Sequence, residues 1–339
     1  MDSPSSDSQP HKTDPDHALR PEPLFPEQRL INRRQLWANQ RFQMEMENLK
    51  TKRYGNRGRH HWYQLLLMMK ALGFILHLTN LFQKGVHNAE NIVLREMPLY
   101  FPNLPQAFDG FTILHLSDLH VDGMKDIEDR ILRILDNRTV DLCVLTGDYR
   151  TELHGLHRHI IKSLEYLIGR IHSRHGFIGI LGNHDGCNML NPMEQIGITM
   201  LVNSACFIYQ GDERIRIIGT DDVHYYYTDQ AVDALEHAGD EFCIALVHSP
   251  ELYDIAAEMG VDLYLCGHTH AGQVCLPGGR PLITHLNRGR KYYRGHWNYL
   301  EMQGITHAGV GTSGIPVRFN TRGEVLIHHL YRRSKSTDT

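Results

Sequence analysis

The sequence of 339 residues contains no Cys-x-x-Cys pair; its six cysteines, Cys143, Cys187, Cys206, Cys243, Cys266 and Cys275, stand apart. That excludes the usual zinc-finger and thiol-redox arrangements. Cys143, Cys243 and Cys266 fall inside apolar runs, where a reduced thiol acts as a small hydrophobe, so a reducing, cytoplasmic setting is expected. An excess of charge of one sign is missing too. The 35 Lys and Arg against 39 Asp and Glu leave a net charge of −4, so no nucleic-acid partner is expected. The twin arginine Arg33-Arg34 lacks the apolar core that should follow an export signal at once, because residues 41–52 are polar and charged. No internal repeat is visible, which argues against a solenoid.

What the chain does have is 24 histidines, the commonest metal-ligand side chain. Its length exceeds that of one typical domain, so a large core with extensions is expected. Residues 1–61 read as a disordered polar segment followed by a basic arm, since 29–61 carry nine Lys or Arg against two Glu. Such an arm is either solvated or in contact with anionic lipid headgroups. Residues 62–91 hold the most apolar stretch. As one helix over 63–84 it confines Lys70, Gly73, His77, Asn80 and Lys84 to a narrow polar stripe. This pattern suits a membrane interface, or a helix packed on the domain or on a partner subunit. A spanning helix is disfavoured, because Lys70 and His77 would both lie in hydrocarbon.

From residue 92 to 332 apolar strand runs alternate with helical periods, leaving 333–339 as a tail. Strands are predicted at 92–94, 111–116, 142–146, 177–181, 199–201, 215–218, 242–247 and 263–266. Helices are predicted at 126–136, 156–171, 229–236 and 250–259. Continuous apolar strands between helices point to an α/β domain with covered sheets.

Five of these strands end alike: an apolar run stops and metal-type donors follow. They lead to Asp118-Leu119-His120, Gly147-Asp148, Gly182-Asn183-His184-Asp185, His248, and Gly267-His268-Thr269-His270. Ligands of α/β sheets bind beyond the carboxyl ends of the strands, so the five groups can share one crevice. Carboxylate, amide and imidazole donors together suit Mn²⁺, Fe or Zn²⁺. A carboxylate such as Asp148 can bridge two cations, the arrangement that clamps in-line displacement at phosphorus. Asp-x-His or Gly-Asp alone is common, and His248 alone reads as a core histidine. The five in this order form a rare combination.

These blocks resemble those of the calcineurin-like metallophosphoesterases, over about residues 90–332. The runs from Gly267 to Gln273 and from Gly309 to Gly314 are similar to the bacterial branch of membrane-associated phosphodiesterases and UDP-2,3-diacylglucosamine pyrophosphatases. The resemblance implies a four-layer fold of two mixed β-sheets flanked by helices. It also implies roles: Asp118, His120 and His270 for a first metal, Asn183, His248 and His268 for a second, Asp148 between them. His184 would donate to a phosphoryl or leaving oxygen, with Asp185 behind it. One departure is Tyr149-Arg150-Thr151-Glu152, where protein phosphatases of this superfamily carry a Val-Asp-Arg-type run. That argues against a phosphoprotein substrate.

The expected activity is hydrolysis of a phosphodiester or pyrophosphate bond by hydroxide generated between two cations, on a lipid-linked substrate at the inner face of a membrane. A soluble nucleotide or small-phosphate phosphodiesterase and a metal-free scaffold are the alternatives. Arg150, His224 and Arg318 are candidate substrate contacts, Arg318 because a guanidinium can clamp a phosphate bidentately. The interleaved basic and aromatic residues of 285–299 are a further candidate surface.

Overall fold

The computed structural model describes residues 27–54, 59–152, 157–236 and 241–333. The chain runs through helices α1 (Glu27–Tyr54), α2 (Arg59–Leu78) and α3 (Phe82–Glu90), strands β1 (Val93–Phe101) and β2 (Phe111–Leu116) and helix α4 (Ile127–Leu135). Strands β3 (Thr139–Val140) and β4 (Leu142–Leu145), helix α5 (Arg158–Ile168), strands β5 (His172–Ser173) and β6 (Phe177–Gly179) and helix α6 (Leu190–Gln195) follow. The second half comprises β7 (Ile198–Met200), β8 (Ser204–Gln210), β9 (Glu213–Gly219), α7 (Asp229–Leu235), β10 (Cys243–Leu246), α8 (Tyr253–Glu258) and β11 (Leu263–Cys266). It closes with β12 (Gly295–Tyr299), β13 (Met302–Thr306) and β14 (Glu324–Arg332).

Period-two alternation sorts the apolar side chains of each strand onto two faces. Ile113 of β2, Leu142 and Val144 of β4, Ile244 and Leu246 of β10, and Leu263 and Leu265 of β11 share one core. Leu114, Leu116, Cys143 and Leu145 point the other way and pack with Ile131 and Leu135 of α4 and Leu164 of α5. Cys243, Ala245, Tyr264 and Cys266 pack with Leu235 of α7 and Ala256 of α8. Strands apolar on both faces must be covered on both, and the result is helix, sheet, sheet, helix. The sheets are ordered β1-β14-β2-β4-β6-β7 and β12-β13-β11-β10-β9-β8. β2, β4, β6 and β7 run parallel, as do β9, β10, β11 and β13, while β14 is antiparallel to β2, β8 to β9 and β12 to β13. The predicted four-layer fold is what the structure has.

The N-terminal part differs from the sequence reading. Residues 27–54, expected within a disordered segment and basic arm, form α1, which buries Trp37 and Arg41 against the domain. Residues 1–26 and 55–58 lie outside the described part. The single helix expected over 63–84 is two. α2 ends in a Schellman cap, with Asn80 at φ 56°, the Leu81 N–H on Leu76 O at 2.9 Å and the Asn80 N–H on His77 O at 3.2 Å. α3 then packs on the segment carrying Val317 and Phe319, so closely that a methyl at Gly85 would lie 2.7 Å from both side chains.

Candidate active site

The carboxyl ends of β2, β4, β6, β10 and β11 open into loops that meet. Asp118, His120 and His270 bring one donor atom each to within 4.8 Å of one another, and so do Asp148, His248 and His268. All six are buried, as is Asn183. One carboxylate oxygen joins the groups: Asp148 Oδ2 is 3.3 Å from His248 Nε2 and 3.9 Å from His120 Nε2. Asn183 Oδ1 completes the second group, 3.1 Å from His248 Nε2 and 2.8 Å from His268 Nδ1.

Local backbone geometry makes this possible and costs energy. Asp118, His120, Asp148, His268 and His270 all have φ between 41° and 71°, a region that non-glycine residues rarely occupy. Such strain clusters where surrounding structure over-determines a functional geometry. Gly147, at φ +93°, shows how tight the packing is: an added methyl would sit 2.5 Å from Gly182 N and 2.9 Å from His248 Nδ1. A methyl at Gly267 would overlap Ser117 Oγ and Asp118 Oδ2.

The donor chemistry fits divalent cations. A backbone carbonyl can only accept, so the ring nitrogen facing it carries the proton and a neutral ring leaves its other nitrogen as a lone pair. His120 Nδ1 faces Arg150 O at 2.8 Å and His248 Nδ1 faces Thr146 O at 2.7 Å, while His268 uses Nε2, 3.3 Å from His285 O. The remaining nitrogens converge on Asp118, Asp148, Asn183 and each other, His120 Nε2 lying 3.2 Å from His270 Nε2. His270 Nδ1 is buried with no hydrogen-bond partner. Acceptors and lone pairs gathered without matching donors are what a cation satisfies.

Charge balance favours the neutral ring at His120, His268 and His270 but not at His248. Burial pushes the Asp118 carboxyl up to about 7, and Asp148 adds to the rise against the pull of His248. Burial also opposes ionisation of Asp148, yet His248, His184 and His120 together hold it well below the usual carboxylate range. Burial would lower His248, but the charge and hydrogen bond of Asp148, with Asp118 and Asp222, carry it up to about 10. Burial takes His120 down to about 4, and His268 and His270 well below the ordinary imidazole range.

The other candidate residues divide. His184 is half-buried at the rim, its Nδ1 2.7 Å from Thr151 O and its ring edge-on to His120 at 5.1 Å. What stands behind His184 is therefore the Thr151 carbonyl, not Asp185. The Asp185 carboxylate instead accepts the N–H groups of Gly182, Asp148 and Tyr149, at 2.8, 2.8 and 3.0 Å, which pins the loop to β4. Arg150 donates from Nε to His184 O at 2.9 Å, and His224 sits against His268, with 4.3 Å between ring centroids, held by Glu251 at 3.0 Å.

Arg318 is a correction. It is fully buried, and its Nη1 and Nη2 donate to the carbonyls of His270, Ala308, Gly309, Gly311 and Arg322 at 2.7–3.2 Å, so the two ends of the fork that would clamp a phosphate are engaged by backbone. In the 285–299 segment Tyr292 and Trp297 are buried against each other, with ring centroids 4.4 Å apart, and belong to the core. Sequence reasoning missed Arg41, Trp37 and Asp221, which meet behind the Gly182–Asp185 turn. Asp221 adjoins Asp222, but nothing local in the sequence signals its partner.

Residues 111–272 match the family model of the calcineurin-like phosphoesterases. The uncharacterized metallophosphoesterase YkuE of Bacillus subtilis is 28% identical over 237 residues, 67% of this chain and 81% of that protein. YkoQ, of the same organism and description, is 23% identical over 286 residues, 79% of this chain and 100% of its own length. The phosphodiesterase YaeI of Escherichia coli is 28% identical over 231 residues, 65% of this chain and 82% of that protein.

Proposed function

We propose that this chain, a metallophosphoesterase with a calcineurin-like phosphoesterase region over residues 111–272, hydrolyses a phosphodiester or pyrophosphate bond in a lipid-linked substrate. UDP-2,3-diacylglucosamine and phospholipids exemplify the class. The observation that carries the hydrolytic part is the pair of buried donor groups sharing Asp148. Two divalent cations, Mn, Fe or Zn, would supply there the positive charge that acidifies water and neutralises phosphoryl oxygens. Asp118, His120 and His270 would hold one and Asn183, His248 and His268 the other, with Asp148 between. His184, its Nδ1 proton committed to Thr151 O, presents Nε2 at the rim, and it is the imidazolium form of the ring that would donate from there to a phosphoryl oxygen or to the departing oxygen. Asp185 and Arg150 keep that loop in place.

The lipid part is supported by α2. Leu67, Phe74, Ile75 and Leu78 fall on one helical stripe and are exposed, Phe74 and Leu78 to 65% and 69%. An apolar stripe beside basic residues such as Lys70 suits the plane of a membrane interface, here a cytoplasmic one. No described helix is long and apolar enough to cross a membrane.

A substrate panel with added Mn²⁺ tests the reading: a lipid-linked pyrophosphate, phospholipids, nucleotides and an aryl phosphodiester. Preference for the lipid substrates, lost when Phe74 and Leu78 become Ser, is the expected result. Equal turnover of nucleotides by both proteins would establish a soluble nucleotide phosphodiesterase instead.

A further inference from the structure

Helix α1 buries two residues one turn apart, Trp37 and Arg41. A buried guanidinium needs partners for its N–H groups, and those of Arg41 lie in and beside the candidate active site. Nη1 pairs with Asp221 Oδ1, and Nη2 donates to Gly182 O at 3.2 Å and to Asp185 O at 3.0 Å. Nε faces Glu45 Oε1 at 3.2 Å, and the plane of the group lies over Tyr226, 3.6 Å from the ring centroid. Trp37 Nε1 takes the other oxygen of Asp221 at 2.7 Å. Glu45, one turn further along, accepts the backbone N–H of Cys187 at 2.8 Å.

The two carbonyls held by Nη2 bracket Asn183 and His184. From the other side the loop is held to the end of β4: the His184 N–H on Asp148 Oδ1 at 2.8 Å, and the Asp148 and Tyr149 N–H groups on the Asp185 carboxylate at 2.8 and 3.0 Å. The segment carrying one candidate ligand and the candidate proton donor is therefore gripped between the site and α1.

We infer that Arg41 is a positioning residue for the reaction, acting through the Gly182 and Asp185 carbonyls to place Asn183 and His184, so that α1 belongs to the catalytic unit. The effect on turnover rests on the proposed hydrolysis; the effect on loop order does not.

A guanidinium fork reaches an anion and two carbonyls at once, which an ammonium cannot. Arg41→Lys keeps the charge opposite Asp221 and releases the loop. The double variant Arg41→Met with Asp221→Asn removes both members of the buried pair, so that Asp221 is not left as an unpaired charge. The test compares the full-length variants with wild type by hydrogen–deuterium exchange of residues 182–187 and by Mn²⁺-supported hydrolysis of an aryl phosphodiester. Both variants should exchange faster at 182–187, with kcat lowered on the order of 10- to 100-fold. KM should stay within about twofold, as for a loss felt only in the transition state. Arg41→Lys should keep most of its melting temperature. Unchanged exchange, or faster exchange with kcat within about twofold of wild type, would overturn the inference. An inactive wild type would instead sink the proposed hydrolysis, and exchange at 182–187 would then decide whether α1 holds the loop.

Discussion

His184 donates its backbone N–H to Oδ1 of Asp148 at 2.8 Å, so the carboxylate shared by the two donor groups also fixes the residue proposed to donate a proton. The other oxygen of Asp148 faces His248 and His120. Removing the imidazole while keeping this backbone bond separates the two roles. His184→Ala should bind metal as wild type does and lose roughly 10²- to 10⁴-fold in kcat, the usual worth of a general acid. Elemental analysis beside steady-state kinetics checks this, and full activity in the variant would remove His184 from the mechanism.

Asp148→Ala should behave differently. It takes one donor from between both groups, so bound metal should fall below one ion per chain and turnover should vanish. Wild type stripped with a chelator should also be inactive, recover with Mn²⁺, and melt higher as the ion is added. Saturation at about 100 times Kd adds about 2.7 kcal/mol. A melting temperature indifferent to added metal would show that the buried donors do not bind it.

Arg318→Met tests the corrected role of that residue. Five carbonyls would lose the guanidinium, four of them on buried residues, and the expected cost is about 3–5 kcal/mol of stability, as for breaking a buried charged network. KM of the folded fraction should barely change. A stable variant with a sharply raised KM would restore the phosphate-clamp reading.

His115, His307 and His328 are buried together, His115 4.9 and 5.5 Å by ring centroid from the other two. Burial, with repulsion from neighbouring cationic side chains, lowers His307 and His328 to about 3 from an ordinary 6.5, and His115 well below it. Folded values below unfolded ones mean that the unfolded chain binds more protons in between. Their contribution is complete above pH 6.5 and is lost as pH falls towards 3, at most about 1.4 kcal/mol per pH unit for each ring. Urea unfolding from pH 7 to 4 should show this slope, and His328→Leu should flatten it by about one proton. An equally steep variant would place the acid sensitivity elsewhere.

The strand-end donors were legible because each follows a mainly apolar run, a pattern that sets strand, turn and crevice at once; β4, β6, β10 and β11 are of this kind, and β2 departs from it only at Thr112 and His115. What escaped lacks a local signature. Arg41 looks like its neighbours in a basic run, since its partner Asp221 is 180 residues away. Arg318 reads as a phosphate clamp because its true partners are carbonyls, which sequence does not display. Asn80 breaks the apolar helix through a left-handed cap that the surrounding leucines conceal. β14 carries His328 and His329 amid its apolar residues, which hides its strand pattern although it lies inside a sheet, between β1 and β2.

That strand has a consequence for how the molecule is made. Glu324–Arg332 is inserted between Val93–Phe101 and Phe111–Leu116, parallel to one and antiparallel to the other. During synthesis a slot must stay open in the sheet until more than two hundred further residues have emerged. Closing it is a late, long-range event that carries the loop-closure entropy of nearly the whole domain. A nascent chain halted before residue 324 would hold every candidate ligand yet expose two unpaired strand edges, the state most prone to sticking to its neighbours.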